Sequence, residues 1–194
     1  MATYCEVAPG HPLHGPYHDH EYGFPARDDA IVFERLVLEI NQAGLSWQTI
    51  LAKRPAFQAA YAGFDPAAVA AFDDADRARL LADAGIIRNR LKVDAAITNA
   101  ALVCDLIDRH GSFAAWLDEQ HPLDKADWVK RFKQTGFRFV GGEIVGELLM
   151  SLGYLPGAHA ETCPVYGEIL TLSPPWVGPP ASPPKRRAPP GRAG

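Results

Sequence analysis

The sequence predicts an all-α protein. Thirty alanines lie mostly in long runs without proline, which favours helix. Apolar residues recur at i, i+3, i+4, i+7, and almost no segment alternates as a strand would. Asp28 or Asp29 caps a helix reaching about Ala43, with Phe33, Leu36, Val37 and Ile40 on its apolar stripe; Gly44 stops it. Ser46 caps the next, which carries Trp47, Ile50 and Leu51. Pro55 opens a short helix from a first-turn position, and Asp65-Pro66 is a cap followed by proline at the first helical residue. Asp73 or Asp74 starts a helix ending at Ala84, with Gly85 at the position just past its C-terminus. Asn89 to His110 is the longest helix, closed by Gly111. Ser112 starts another through Trp116, and two more cover about Lys125 to Gln134 and Gly142 to Leu152. Phe137-Arg138-Phe139-Val140 is too short to count as a strand.

The chain has 194 residues, 47% hydrophobic and 22% charged, which suits one compact domain and excludes a wholly disordered protein. No run approaches the roughly 18 uninterrupted apolar residues of a membrane span. Met1 to Pro12 lacks the basic-then-apolar pattern of a signal peptide. Three cysteines, an odd number, argue against a disulfide framework and fit a reducing, cytoplasmic setting. The helical domain is placed at 1–167 and a tail at 168–194. That tail holds eight prolines in 27 residues, so it is expected to join no helix or inner strand and to be disordered or polyproline-like. Lys185, Arg186, Arg187 and Arg192 against Glu168 give the tail +3, which leaves the body 15 basic minus 22 acidic residues, or −7. A body of that charge must gather positive charge locally to hold nucleic acid.

Three constellations carry chemistry. The first is L-L-A-D-A-G-I-I-R-N-R-L-K at 80–92: a helix, a turn containing Gly85 and Ile86, and a second helix starting among Arg88, Arg90 and Lys92. A helix N-terminus offers free N–H groups and a positive dipole end, which suit a phosphate. The layout is that of a helix-hairpin-helix gripping a DNA backbone; an ordinary αα-turn with solvated basic residues has the same pattern. The second is Cys5 and His18 near the start with His159-x₃-Cys163 near the end. Two thiolates and two imidazoles make a tetrahedral, closed, structural Zn²⁺ site that would staple the chain ends. Cys104, mid-helix, is taken as an inert core thiol. The third is Y-H-D-H-E-Y-G at 17–23 with L-E-I-N-Q-A-G-L-S-W at 38–47. It sets Tyr17, Tyr22 and Trp47 beside Glu39, a carboxylate flanked by Leu38 and Ile40. Burying such a group costs several kcal/mol unless it is paired, and such groups are often functional. Periodicity alone favours a solvent-facing Glu39, because it falls beside the apolar stripe.

Taken together these residues resemble the 3-methyladenine DNA glycosylase I family, over residues 4 to about 163. The anchors are Cys5; Y-H-D-x-E-x-G at 17–23; Leu38, Glu39, Gln42, Ala43, Gly44, Leu45, Ser46 and Trp47; F-D-P at 64–66; A-G-I-I-R-x-R-x-K at 84–92; G-F-R-F-V-G at 136–141; and H-x-x-x-C at 159–163. The resemblance implies a helix-hairpin-helix glycosylase fold, usually monomeric, with one zinc ion held by Cys5, His18, His159 and Cys163. It implies base-pocket roles for Glu39, Tyr17 and Trp47, and removal of 3-methyladenine from double-stranded alkylated DNA without strand cleavage. Tyr22 stands where the family usually has tryptophan and His14 where it usually has tyrosine, so both are expected to bear on substrate preference. Gly142-Glu143 departs from the small or hydroxyl residues usual there, and residues 153–158 from the usual Gly-x-Val-Asn-Asp.

The chemistry suits these residues. Adenine methylated at N3 is cationic, so its glycosidic bond is weak and the base departs neutral. Tyr17 and Trp47 would supply stacking and cation–π contact, about 0.5–2 kcal/mol each. Glu39 would balance the charge, stabilise the sugar cation or position water. The lesion must be flipped out, at a cost of a few kcal/mol. Gly44-Leu45 is expected to enter the gap it leaves. Two rivals stand beside this reading. One is a glycosylase–lyase in which Lys92 forms a Schiff base on the abasic sugar. The other is a non-catalytic, zinc-stapled module that binds damaged DNA.

Overall fold

In the computed structural model, which describes residues 3–178, the chain is all-helical, with no strand among the described residues. Most of the segment expected as a tail, Lys185, Arg186, Arg187 and Arg192 included, lies outside the described residues.

Helix α3 (Asp29–Gln42) is the axis of the molecule. Asp28 caps it by accepting from the Ile31 N–H at 3.1 Å. Every residue from Val32 to Asn41 is buried. A helix buried all round needs neighbours on every side. They are α4 (Trp47–Ala60), α7 (Arg90–His110), α8 (Phe113–Gln120) and α10 (Gly142–Ser151). Of its buried charges, Glu34 is paired. Arg54 of α4 donates two bonds to Glu34, both at 2.9 Å, and two to Glu21, at 2.7 and 2.8 Å. This bidentate clamp ties α3 and α4 to the end of α2 (His14–His20).

Helix α7 presents Val93, Ala96, Ile97, Ala100, Val103 and Leu106 along one stripe, and Gly111 closes it at φ +91°. It packs on the short α5 (Pro66–Ala70), capped by Asp65. Between α9 (Lys125–Thr135) and α10, buried Asn99 donates to the Arg138 carbonyl and accepts from the Arg138 N–H. It thereby holds residues 137–141 without a strand partner.

Several expected boundaries move. Pro55 does not open a helix. It lies inside the continuous α4, because buried Ile50, Leu51, Phe57 and Ala60 on either side pack into one core; one lost backbone bond does not outweigh that burial. Helix α6 (Asp74–Ala82) stops before Ala84 because Asp83 turns out of helical geometry, at ψ 109°. Gly85 is therefore not a left-handed C-cap. It is tightly packed instead: a Cβ there would lie 2.9 Å from Ala56 Cβ. Helix α8 runs to Gln120, past Trp116. The short α1 (Tyr4–Val7), α2 and α11 (Pro164–Thr171) carry no long apolar period. Helix α11 passes through Glu168, where the proline-rich segment was expected to exclude helix; its prolines begin only at Pro174.

Candidate active site

The site lies where α3 ends. Glu39 sits one turn from that end and is 4% exposed. Its carboxylate lines a cleft of about 310 Å³ with Gln42, Gly44 and Leu45 on one side and Glu143 and Glu147 of α10 on the other. Among the described residues no hydrogen bond reaches the Glu39 carboxylate. Burial first, then the Glu147 charge, push its pKa up to about 8, against a pull down from Arg35.

An aromatic row borders Glu39. The Trp47 ring lies 5.1 Å from Tyr17, Tyr17 lies 5.7 Å from Tyr22, and Tyr22 lies 5.6 Å from Tyr4. Burial and the nearby Glu39 charge raise the Tyr17 hydroxyl far above its usual range, so it stays protonated and able to donate. The Trp47 indole N–H is buried with no partner among the described residues, a donor free for an incoming acceptor. Tyr22 donates to Glu147 Oε2 at 3.0 Å, which joins the row to the cleft. His14 meets the row through Tyr4, its Nδ1 lying 3.2 Å from the Tyr4 hydroxyl, and its ring otherwise packs on His11.

The chain ends meet beside this row. The ligand atoms of Cys5, His18, His159 and Cys163 all lie within 4.8 Å of one another. His159 Nδ1 is 3.6 Å from both sulfurs, and His18 Nε2 is 3.8 Å from Cys163 Sγ. Tetrahedral bonds of about 2.3 Å to sulfur and 2.05 Å to nitrogen separate the two atoms by about 3.6 Å. The donor set therefore fits Zn²⁺. The outer nitrogens are oriented as a metal site requires: His18 Nδ1 lies 2.7 Å from Asp19 Oδ1, and His159 Nε2 lies 2.7 Å from the Tyr22 carbonyl.

The hairpin is built by α6, residues 83–89 and α7. Ile86 is buried and anchors the turn, while Arg88 and Arg90 are exposed. Lys53 of α4 holds the turn through the Ala84 and Gly85 carbonyls, at 2.9 and 3.1 Å. Lys92 is not the phosphate contact expected. The residue is 7% exposed, and its ammonium donates to the Asn41 and Ala43 carbonyls at 3.0 and 2.9 Å. The end of α3 has carbonyls without helical partners, and a buried cation satisfies them. Just beyond, Gly44 takes φ +85° and lets the chain turn so that Leu45, 41% exposed, projects outward.

Sequence reasoning missed Glu147. The signal was present: it is a carboxylate beside the apolar Leu148 and Leu149, as Glu39 is beside Leu38 and Ile40. A larger cleft of about 570 Å³ lies at the other end of α3, lined by Asp28, Asp65, Cys104 and Asp108. Asp28 and Asp65 are spent there on helix caps. Cys104 is half-buried there, not in the core. Burial and neighbouring acids raise its thiol, which keeps it unreactive.

The comparisons agree on one family. A family model described as methyladenine glycosylase matches residues 7–128. The chain is 35% identical over 173 residues to DNA-3-methyladenine glycosylase 1 of Escherichia coli, covering 80% of this chain and 92% of that one. It is 31% identical over 182 residues to the DNA-3-methyladenine glycosylase of Haemophilus influenzae, covering 84% and 98%. It is also similar to a solved structure of 3-methyladenine DNA glycosylase I from Staphylococcus aureus, described as the structural basis of 3-methyladenine recognition. There the TM-score is 0.74 at 30% identity, over 84% of this chain and 95% of that one.

Proposed function

The chain belongs to the methyladenine glycosylase family, and we propose that it hydrolyses the N-glycosidic bond of 3-methyladenine in alkylated double-stranded DNA, leaving an abasic site. The observation that carries this reading is Glu39: a buried carboxylate without a hydrogen-bond partner, facing an open cleft beside a row of tilted and edge-on aromatic rings. A carboxyl group that burial keeps protonated to about pH 8 ionises when a base carrying its own positive charge stands against it, and the two charges then compensate. The lesion reaches the cleft only if it leaves the stack. Leu45, projecting beyond Gly44, is the side chain we place in the gap.

Residues 80–92 act in this reading as a helix-hairpin-helix, with Arg88 and Arg90 on the DNA backbone, the Gly85-Ile86 turn shaping the approach, and Lys92 behind it. Tyr17, Trp47 and Tyr22 hold the base, with His14 supporting the row through Tyr4. Cys5, His18, His159 and Cys163 would hold one structural Zn²⁺, whose bonds would tie the chain ends together. The protein would act as a monomer in the reducing cytoplasm, where the thiols remain available to metal.

Lys92 supports a glycosylase without lyase activity. Its amine is occupied by two carbonyls, those of Asn41 and Ala43 at the end of α3. Borohydride is therefore expected to trap no covalent DNA adduct. The decisive experiment is chromatography of bases released from methylated duplex DNA. Release of 3-methyladenine with 7-methylguanine left in place is the expected result. Glu39→Gln should slow release on the order of 100-fold. Unchanged release by Glu39→Gln ends the catalytic assignment. No release by the folded wild-type protein leaves the damage-binding module as the better reading.

A further inference from the structure

The cleft has a second carboxylate wall. Glu147 faces it from α10, across from Glu39 on α3. Tyr22 holds Oε2 of Glu147 through its hydroxyl at 3.0 Å, which orients the carboxylate and leaves Oε1 without a partner among the described residues. Arg35 draws the Glu39 carboxyl down, and burial together with the Glu147 charge outweighs it. Tyr17 and Tyr22 face the cleft from α2 and the residues after it, and both stay neutral. Glu143, at the start of α10, is exposed and pairs with Lys125 at 3.1 Å. Arg35 of α3 is spent on the Phe24 and Ser151 carbonyls. Lys92 is spent on the end of α3. Two carboxylates at one desolvated cleft repel each other until something positive enters.

We propose that Glu147 is a specificity-determining residue: a second base-facing carboxylate that, with Glu39, selects purines carrying a positive charge over neutral ones. The proposal rests on the glycosylase reading above and deepens it. Glu39 holds a proton below about pH 8, and the Glu147 charge is one cause. A cationic base takes the place of that proton, so its binding releases H⁺ and strengthens as pH rises towards 8. Because the departing base becomes neutral, a carboxylate that meets the base alone favours the bound substrate and not the transition state, whereas Glu39 is also assigned the sugar cation or the water. Glu147 therefore acts on affinity more than on the chemical step.

The test compares wild type with Glu147→Gln on duplexes carrying 3-methyladenine and, separately, hypoxanthine, a neutral purine. Gln keeps the acceptor for Tyr22, and a thermal melt checks the fold. Three results are expected. The half-saturating concentration of the 3-methyladenine duplex rises about tenfold, while the saturated single-turnover rate changes much less. Binding of the hypoxanthine duplex is unchanged. The acid limb of the 3-methyladenine pH profile moves to lower pH, because Glu39 loses a repelling neighbour. Equal affinities for the 3-methyladenine duplex with an unmoved pH limb overturn the proposal, as does an equal loss on both duplexes. Should Glu147→Gln not fold, Glu147→Ser, which needs less room, carries the same comparison. Wild-type release of 3-methyladenine that is indifferent to residue 147 ends only this inference; no wild-type release ends the glycosylase reading beneath it.

Discussion

Glu39 shows what burial does to a single carboxyl group. Folding takes it out of water and sets it near another carboxylate, so it ionises at about pH 8 and not at the ordinary 4.5. Its folded pKa is raised, so its contribution to stability is complete below pH 4.5 and is lost as pH rises through about 8. We expect urea denaturation to find Glu39→Gln more stable than wild type at pH 8–9, by on the order of 4 kcal/mol, with the gap closing towards pH 5. Equal stability across that range would show that Glu39 has a partner in solution. Its identity was legible in the sequence; its burial was not, because a residue beside an apolar stripe is solvated unless helices surround it on every side. Lys92 misled for the opposite reason. A lysine at a helix start beside two arginines has the sequence pattern of a phosphate contact, and only the packing of α7 against the end of α3 turns its ammonium inward.

At the scale of elements, the hairpin and the end of α3 form one mechanical unit. Lys53 fixes the turn to α4, and Lys92 fixes the start of α7 to the last carbonyls of α3. The hairpin and the Gly44-Leu45 turn are thus tied to the same end of α3. Lys92→Met is expected to remove about 1–3 kcal/mol of stability, as loss of hydrogen bonds from a charged group does. It should leave the salt dependence of binding to undamaged DNA unchanged. A phosphate contact would instead lower that slope by about 0.9. Binding titrations over a range of salt separate the two. Caps were the most legible features: Asp28, Ser46, Asp65, Asp73 and Ser112 each accept from a backbone N–H of the helix that follows. The helix end at Asp83 carried no local signal, whereas Pro122, two residues past Gln120, was the signal for the end of α8.

At the scale of the molecule, the core divides unequally. The large cluster around α3 and α7 is continuous, while Cys163, Val165 and Ile169 form a small separate cluster with Cys5, Phe24 and Tyr166. That satellite holds both chain ends and has little apolar area of its own, so metal bonds would supply what burial does not. Metal analysis of the purified protein should find about one zinc ion per chain. A strong chelator should expose the terminal segments to protease before the far-UV circular dichroism of the main core falls. Simultaneous loss of both would mean that the staple supports the whole fold. No helix among the described residues is long and apolar enough to cross a membrane.

The sequence by itself determined the all-helical class, the caps, the four metal-ligand residue types and the ordered motifs of the family, because these depend on local backbone chemistry and residue identity. Only the tertiary structure decided which charges are buried. Arg54 closes on Glu21 and Glu34, Lys92 turns inward, and Glu147 comes to face Glu39, all through contacts between residues 20 to 108 positions apart. Electrostatics inside a protein depends on distance through space and on exclusion of water, and neither is written in the spacing of residues along a chain.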